Sequence, residues 1–338
     1  MAKNFKIAFD INGNDNGPKA ATLAAIAYAK KHPNLQIILL GDLTSVLELK
    51  ENLPQNVSYI ENTLKFTNTS DLRGSLRENT SLIEAVKMLK AKEVDAILSS
   101  GDSGLYITAL TLLLGRLENV NRPAFMPVCN GINGNKFLFM DVGANLVVKP
   151  EFLVEWAKLG NVFSKIMLNK KNPSITLLNI GTEDYKGHDF TKDAHHLLQD
   201  EKDLNYVGFS ETRDLFRGLV DVAVIDGYGG NLVLKSYEGA IFTFMDLLKE
   251  NIYKSFMRKV AAKMLKPAFK ETAKVLDYRN VGCAWVIGIN GLALKAHGSS
   301  DQIAYQSALA SLHEALEKDL LTKLREEMHS DEQDTENQ

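Results

Sequence analysis

Lys186 and Asn231 are the side chains in this sequence best suited to chemistry on an anion. Lys186 lies in LNIGTEDYKG (178–187) and Asn231 in VIDGYGGN (224–231), and both segments include the end of an apolar run. A lysine ammonium neutralises a phosphate or a developing oxyanion, and an asparagine amide at the start of a helix can donate a hydrogen bond to the same charge. The pair favours a reaction in which the protein orients an attacking anion, such as inorganic phosphate attacking an activated acyl carbon. The alternative is a solvated lysine and an N-cap asparagine.

Three further turns combine glycine with polar residues after an apolar run: FDINGNDNGP (9–18), LSSGDSG (98–104) and FMDVGANL (139–146). Glycines let backbone N–H groups approach an anion and point at it. Because ligands bind at the carboxyl ends of parallel strands, we expect all five turns to converge on one sheet edge and form an anion site. Ordinary tight turns and helix caps are the alternative. The candidate phosphate- or donor-binding residues are Asp10, Gly13, Asp15, Gly101, Ser103, Asp141, Asn145, Gly181, Asp226, Gly227, Gly230 and, in LKAHGSS, His297.

Other kinds of site find little support in the sequence. VIDGYGGN continues as G-x-G-x-x-L and so lacks the third glycine of a dinucleotide-binding fingerprint, and GNDNGPKA lacks the G-K-[ST] ending of a Walker A loop. No G-x-S-x-G elbow occurs. The only cysteines, Cys129 and Cys283, have no C-x-x-C spacing, and no His, Asp or Glu cluster has defensible ligand spacing. We therefore expect neither a metal nor a cofactor, and we expect His195 and His196 on a helix surface.

Apolar, β-branched runs alternate with segments of helical periodicity along the chain. The runs are KIAF, LQIILL, VDAILS, KFLFM, SITLLNI and VDVAVI. This alternation predicts an α/β protein with three layers, in which helices cover both faces of a mostly parallel sheet. No linker or repeat divides the chain. We expect one domain over residues 1–327 and an acidic, disordered tail over residues 328–338.

Composition limits the partners and the location. The chain has 338 residues and a formal net charge of -3, which gives no reason to expect nucleic acid as a partner. The N-terminus has too few apolar residues for a signal peptide, and no apolar run is long enough to span a membrane. A reduced, cytoplasmic protein is the simplest interpretation.

A basic, amphipathic segment interrupts this pattern over residues 240–276. Its apolar residues recur at helical spacing. Between Lys249 and Lys274 there are eight basic residues and two acidic ones, which gives a local net charge of +6. We expect a projecting helical hairpin that turns at MLKPAF, with Met264, Leu265 and Phe269 at its tip. The apolar stripe could pack on a second copy of the chain, or the tip could dip into an anionic membrane surface.

Seven motifs together resemble the phosphate acyltransferases of bacterial phospholipid synthesis, from about residue 5 to about residue 315. These motifs are the Asp10–Pro18 turn, LGRLENVNRPA, DVGAN with KPEFLVEWA, LLNIGTEDYKG, GFSETRDLF, DGYGGNLVLKSYEG and KAHGSSD. The resemblance implies transfer of a fatty acyl group from acyl carrier protein to inorganic phosphate, with Lys186 and Asn231 in the acyl-transfer site. It also implies an isopropylmalate dehydrogenase- and phosphotransacetylase-like fold, a homodimer, peripheral membrane attachment, and a glycerol-3-phosphate acyltransferase acting next.

The sequence departs from the family pattern at several positions. Asn14 replaces a glycine, Asp102 lies in a loop that is usually A-G-N-T-G, and Cys283 and Trp285 alter G-G-A-P-L-L-G. Asp102 puts a carboxylate where a neutral donor to phosphate would be expected. Two alternatives therefore stay open: a phosphotransacetylase-like exchange that uses acyl-CoA, and a non-catalytic phosphate-binding scaffold at the membrane.

Overall fold

An eleven-stranded sheet forms the centre of the computed structural model, which describes residues 3–67, 70–276 and 283–335. Across the sheet the strand order is β3-β2-β1-β4-β11-β10-β5-β6-β9-β7-β8. The strands are β1 Phe5–Asp10, β2 Leu35–Gly41, β3 Val57–Glu61, β4 Ala96–Ser99, β5 Ala124–Asn130, β6 Lys136–Met140, β7 Ser174–Asn179, β8 Asn205–Glu211, β9 Val222–Val224, β10 Cys283–Ile287 and β11 Leu292–Ala296.

Most neighbouring strands are parallel, but three antiparallel pairs reverse the direction in the middle of the sheet. β10 is antiparallel to both β11 and β5, and β5 is antiparallel to β6. Strands β6, β9, β7 and β8 therefore run opposite to β3, β2, β1, β4 and β11. Their carboxyl ends lie at the opposite edge of the sheet. We call these two edges the Asp10 edge, after the end of β1, and the Asp141 edge, after the residue that follows β6.

Helices connect the strands and cover both faces. They are α1 Lys19–Ala29, α2 Leu47–Lys50, α3 Leu72–Ser75, α4 Ser81–Lys90, α5 Ser103–Ala109, α6 Pro150–Met167, α7 Asp189–Asp200, α8 Gly227–Tyr253, α9 Phe256–Met264, α10 Lys266–Leu276, α11 Gln302–Glu317 and α12 Leu320–Thr335. Short 3-10 turns span Thr44–Val46 and Thr212–Arg217, and a π-helical turn at Leu110–Leu114 extends α5.

Alternating side chains along the strands build a separate core on each face. In β6, Leu138 and Met140 join the core under α1, α6, α7, α11 and α12, whereas Phe137 and Phe139 point to the other face, which α8 begins to cover. Helices α4 and α5 cover that same face in the other half of the sheet. The three-layer α/β/α architecture expected from the sequence is confirmed.

Among the described residues, five helices begin with the same capping chemistry. At the starts of α3, α4, α5, α8 and α11, a side chain accepts a hydrogen bond from the backbone N–H three residues further on; the capping residues are Asp71, Thr80, Asp102, Asp226 and Asp301. These bonds satisfy N–H groups that have no partner within the helix. The polar turns at the strand ends thus fix where each helix begins.

The basic segment forms three consecutive exposed helices: the end of α8, then α9 and α10. The helical structure is interrupted at Lys254–Ser255 and again at Leu265. The second interruption coincides with the expected turn at MLKPAF. No described side chain from 231 to 275 is buried. Helix α8 begins at Gly227, so one helix joins the Asp141 edge to the projecting segment.

Helix α12 overlaps residues 328–338, for which a disordered tail was expected. Helix α12 continues to Thr335, and Leu320, Leu324 and Met328 are buried at four-residue spacing on one side of it. This apolar stripe anchors the helix to the core, although the sequence around Met328 is acidic. Residues 336–338 lie outside the described residues.

Candidate active site

The five polar turns do not converge on one edge of the sheet. The turns after β1 and β4, together with the His297 turn after β11, lie at the Asp10 edge, whereas the turns after β6, β7 and β9 lie at the Asp141 edge. The expectation of a single shared edge was wrong, because the antiparallel strands β5 and β10 reverse the second half of the sheet. Two clusters of candidate residues result.

Asp10 is the centre of the first cluster. Its carboxylate is buried and accepts hydrogen bonds from Ser81 Oγ at 2.7 Å and from Ser99 Oγ at 2.6 Å. Burial raises the pKa of Asp10, and the bonds from the two serines partly offset that rise. With its oxygens already held by the protein, Asp10 shapes the loop. Gly101 lies against it, and a Cβ at Gly13 would overlap the backbone of Gly101.

The departures at Asn14 and Asp102 have structural roles at this edge. Asn14 is buried, and its amide donates to Ser300 O at 2.9 Å and to Tyr305 Oη at 2.7 Å. The Asp102 carboxylate accepts the Leu105 N–H at 2.8 Å as the cap of α5. Both side chains therefore stabilise the loops in which they lie. These structural roles could not be assigned from sequence alone.

The remaining candidates at this edge are more open. Ser103 is exposed in the first turn of α5, and Asp15 donates its backbone N–H to Gly298 O at 2.9 Å. His297 is exposed, and its Nδ1 lies 2.8 Å from Ser299 Oγ. Partial burial lowers the pKa of His297; a smaller lowering comes from Lys235 of α8. Lys235 lies about two turns into α8, which starts at the Asp141 edge.

Lys295 is a further candidate site residue at the Asp10 edge, and it was not predicted from the sequence. It is half-buried in β11, and its Nζ donates to Ala296 O at 2.6 Å. Burial lowers its pKa to about 8, against the opposing effects of Asp102, Asp10 and Asp15. A lysine inside the apolar strand LALKA was the signal that could have identified it.

Asp141 is the centre of the second cluster and is completely buried. Its Oδ1 accepts the backbone N–H groups of Phe125, Gly143 and Ala144 at 3.0–3.1 Å, and its Oδ2 accepts both the backbone and side-chain N–H of Asn145. Burial raises the pKa of Asp141, while these donors lower it in part. The carboxylate thus folds the loop after β6 around itself.

The start of α8 packs tightly against that loop. A Cβ at Gly230 would overlap Asp141 O, and one at Gly227 would overlap Asn145 O, so both positions require glycine. Asp226 caps the helix by accepting the Gly229 N–H at 2.8 Å. Asn231 lies one turn inside α8 and is therefore not the N-cap; its exposed side chain lies beside Gly143. Asp141 and the glycines together determine where Asn231 sits.

Lys186 is at the surface of the turn after β7. Its Nζ lies 2.7 Å from Glu183 Oε1, and this hydrogen bond raises the pKa of Lys186. Asn179, at the end of β7, donates to Lys186 O at 2.9 Å and so holds the turn closed. Gly181 lies directly under the lysine, because a Cβ there would come within 2.6 Å of Lys186 Cδ.

One cavity of about 660 Å³ joins the two turns that carry Lys186 and Asn231. Strands β7 and β9 are neighbours in the sheet, so their carboxyl ends lie side by side. Gly187, next to Lys186, and Asp226 and Tyr228, shortly before Asn231, all line the cavity. The structure thus brings these two candidate regions together, and it leaves Asp10, Gly13, Asp15, Gly101, Ser103 and His297 at the other edge.

Several other residues lie in the core rather than at either cluster. Trp285 is buried and packs edge-to-face on Phe163 with ring centroids 5.3 Å apart. Burial raises the pKa of Cys283 to about 11 and also raises that of Cys129. His195 is buried, with Nδ1 2.7 Å from Tyr206 Oη, so the expected surface position is wrong.

Within residues 3–67, 70–276 and 283–335, no group of three His, Cys, Asp or Glu side chains is placed to hold a metal ion. Over the same described residues, no helix has both the length and the apolar character needed to cross a membrane.

Solved structures with a similar fold include two enzymes described as a phosphotransacetylase and a phosphotransacylase. The phosphotransacetylase of Streptococcus pyogenes has a TM-score of 0.55 at 16% identity, covering 94% of each chain. A branched-chain phosphotransacylase from Enterococcus faecalis has a TM-score of 0.55 at 11% identity, covering 92% of this chain and 99% of the other. At these identities the likeness establishes the class of fold, which is phosphotransacetylase-like.

Comparison at the sequence level identifies the family. A family model described as fatty acid synthesis protein matches residues 5–323. The phosphate acyltransferase of Mycoplasmopsis agalactiae is 48% identical over 328 residues, 96% of this chain and 98% of the relative. That of Clostridium novyi is 37% identical over 325 residues, 95% of this chain and 97% of the relative. The chain belongs to the phosphate acyltransferase family of enzymes.

Proposed function

We propose that this enzyme transfers a fatty acyl group from acyl carrier protein to inorganic phosphate and forms acyl phosphate for phospholipid synthesis. The observation that carries the proposal is the single cavity whose walls include the turns of Lys186 and Asn231. Lys186 and Asn231 do not line the cavity themselves, but each lies next to a residue that does, Gly187 and Leu232 respectively. A cation and a neutral amide donor beside one cavity suit a reaction in which negative charge enters as phosphate and then develops on a carbonyl oxygen. Family membership supports the same chemistry.

The proposed reaction needs no nucleophile from the protein. An oxygen of hydrogen phosphate attacks the carbonyl carbon of the acyl thioester, and the carbonyl oxygen becomes negatively charged in the tetrahedral intermediate. Collapse breaks the carbon–sulfur bond, and the proton of the hydrogen phosphate passes to the leaving sulfur. The products are acyl phosphate and the free thiol of the carrier. Proximity and charge stabilisation therefore supply the rate enhancement.

Lys186 and Asn231 have distinct parts in this reaction. The pKa of Lys186 is raised by Glu183, so the side chain is cationic at neutral pH and attracts phosphate or the oxyanion. Its ion pair with Glu183 is at the surface, where such pairs separate at little cost and let the ammonium turn to a substrate. Asn231 donates its amide N–H to the same developing charge. Asp141 acts only by positioning α8.

The remaining candidates have supporting parts in this proposal. Asp226, Gly227 and Gly230 fix the first turn of α8, and Gly181 provides the close turn beneath Lys186. In this proposal the residues clustered at the Asp10 edge bind part of the donor, next to the exposed His297. The reaction as written requires neither a metal nor a cofactor.

The exposed basic helices provide the surface for the proposed partners. Their cationic side chains attract an acidic carrier protein and anionic lipid, and Met264, Leu265 and Phe269 are exposed or half-buried beside them. We extend the proposal to a cytoplasmic, peripherally membrane-attached homodimer. Acyl phosphate is a reactive mixed anhydride, so a glycerol-3-phosphate acyltransferase is the proposed consumer.

A phosphotransacetylase-like exchange with acyl-CoA is the second candidate function, because the solved structures of similar fold include phosphotransacetylases. The purified chain should be incubated with a long-chain acyl group on carrier protein or on coenzyme A, with and without phosphate. The first proposal predicts phosphate-dependent loss of the carrier-bound acyl group at the higher rate. Faster use of acyl-CoA would favour the second candidate, and no loss from either donor would contradict both.

A further inference from the structure

The cavity beside Lys186 and Asn231 has an apolar wall that the chemistry described above does not use. Five large apolar side chains, each at least half exposed, cluster there, and we call this cluster the apolar groove. Its members are Leu146, Val147, Ile180, Tyr228 and Leu232. Exposed apolar groups gathered in one concave place mark a ligand or interaction site.

The groove is built from three elements that meet at the Asp141 edge. Tyr228 and Leu232 lie one turn apart on α8, Leu146 and Val147 follow the Asp141 loop, and Ile180 follows β7. The side chain of Asn231 is on the adjoining side of α8, and Lys186 follows Ile180 in the same turn. The groove therefore begins where the proposed acyl transfer takes place.

Most side chains in the wall are apolar, and two of its polar side chains are held by the protein itself. The Asp226 carboxylate accepts the Gly229 N–H as the cap of α8, and the Asn179 amide donates to Lys186 O. A mostly apolar wall suits a ligand whose length is hydrocarbon. A volume of about 660 Å³ is also within the range of small-molecule sites, roughly 300–1,000 Å³.

We propose that the apolar groove binds the hydrocarbon chain of the acyl donor, with the thioester at the end nearest Lys186 and Asn231. This inference rests on the proposed function for the identity of the ligand. Each methylene buried in the groove should tighten binding about fourfold until the groove is filled. The enzyme should therefore prefer long acyl chains to short ones through KM rather than through kcat.

Direct binding tests the groove without any turnover. Palmitate and octanoate should each displace a fluorescent long-chain fatty acid from the wild type, from Leu232→Asn, from Val147→Asn and from the control Leu219→Asn. Leu219 is 70% exposed and is not part of the groove. We expect palmitate to bind far more tightly than octanoate, and each groove variant to weaken palmitate about tenfold or more. The control should bind like the wild type.

A photo-crosslinking fatty acid gives the location. Labelled peptides from 146–148, 178–180 or 225–232 support the inference; labelling elsewhere, or equal palmitate binding by all variants, overturns it. If palmitate does not bind and Leu232→Asn converts a dimer into a monomer, the groove is a contact between copies and the inference is wrong.

Binding in the groove without any acyl transfer would contradict the proposed function alone. Transfer with no dependence on chain length would defeat the groove alone.

Discussion

Lys186 has a cationic side chain that contributes little to the stability of the fold. Its Nζ contacts Glu183 at the surface, and its own turn is held by the Asn179 side chain through a backbone oxygen. We predict that Lys186→Ala lowers kcat at least about 100-fold, because it removes charge stabilisation from the developing oxyanion. Steady-state kinetics with acyl carrier protein as donor measures this loss.

Lys192→Ala is the matched control for that prediction. Lys192 is also a partly exposed lysine with an ion pair three residues away, to Asp189 at 2.8 Å. Both variants should unfold at the same urea concentration as the wild type. Equal activity of the two variants would remove Lys186 from the reaction.

Lys295 gives a prediction about pH. Its folded-state pKa is about 8 against an ordinary value of 10.5, because burial disfavours the charged form. Between these two values the unfolded chain binds a proton that the folded chain has released, so stability from this group rises with pH. The wild type should therefore gain stability relative to Lys295→Gln as pH increases from about 8 towards 10.5. Urea unfolding on both sides of pH 8 measures the difference, and a constant difference would contradict the assignment.

Residue types suggest which chemistry a side chain could perform, but they do not indicate its hydrogen-bond partners. Lys186 and Asn231 could be chosen from sequence because their functional groups suit an anion. The roles of Asn14 and Asp102 could not, because they depend on Tyr305 and Leu105, and an alignment of loop residues does not show which side chain turns inward. Lys295 was missed because its unusual pKa comes from burial among residues distant in sequence.

At the scale of elements, the docking of α8 on the Asp141 loop determines the site geometry. Gly230→Ala would force a Cβ onto Asp141 O, so we predict a loss of roughly 1–3 kcal/mol in the free energy of unfolding. Activity should fall as well, because Asn231 is the next residue. Urea unfolding and kinetics on the same preparation test both effects.

Gly239→Ala is the control on the same helix. A Cβ at Gly239 meets open space, so alanine should stabilise the helix by about 1 kcal/mol through its higher helix propensity. If the two substitutions change stability equally, close packing at Gly230 is not what positions α8.

The exposed helices α9 and α10 carry a prediction about lipid. Leu265 is 55% exposed between two basic helices, so Leu265→Glu should strongly reduce flotation with anionic vesicles, since it places a carboxylate where an apolar contact is proposed. Leu64→Glu is the control, because Leu64 is 57% exposed and lies far from this segment in sequence. Equal flotation of wild type and Leu265→Glu would exclude Leu265 from the membrane contact.

Helical periodicity predicted this segment as helical but not its divisions. The recurring apolar residues suggested one stripe from Ile241 to Met264, whereas the structure breaks the helix at Lys254–Ser255. Periodicity indicates which side of a helix is apolar, not where the helix ends. No proline marks the interruption at Ser255 in the sequence. Conversely, the acidic residues near the end of the chain gave no indication that Met328 is buried on α12.

At the scale of the molecule, the direction of the strands was the part of the fold that sequence did not provide. Alternating runs predicted a mostly parallel sheet with helices on both faces, which is confirmed. The runs did not include β5 and β10, and every antiparallel pair in the sheet involves one of these two strands. Their omission made five turns seem to share one edge. Strand direction depends on pairing between distant segments, which local patterns do not encode.

In the proposed function, an acyl group is transferred to phosphate at the cavity that joins the Lys186 and Asn231 turns. Radiolabelled inorganic phosphate supplied with long-chain acyl carrier protein tests it most directly, with acyl phosphate as the product followed. The wild type should incorporate label only when the acyl donor is present, and Asn231→Ala should incorporate it at least about 100-fold more slowly. Asn251→Ala, on the same helix, should match the wild type. No labelled acyl phosphate from the wild type, or full activity in Asn231→Ala, would contradict the account.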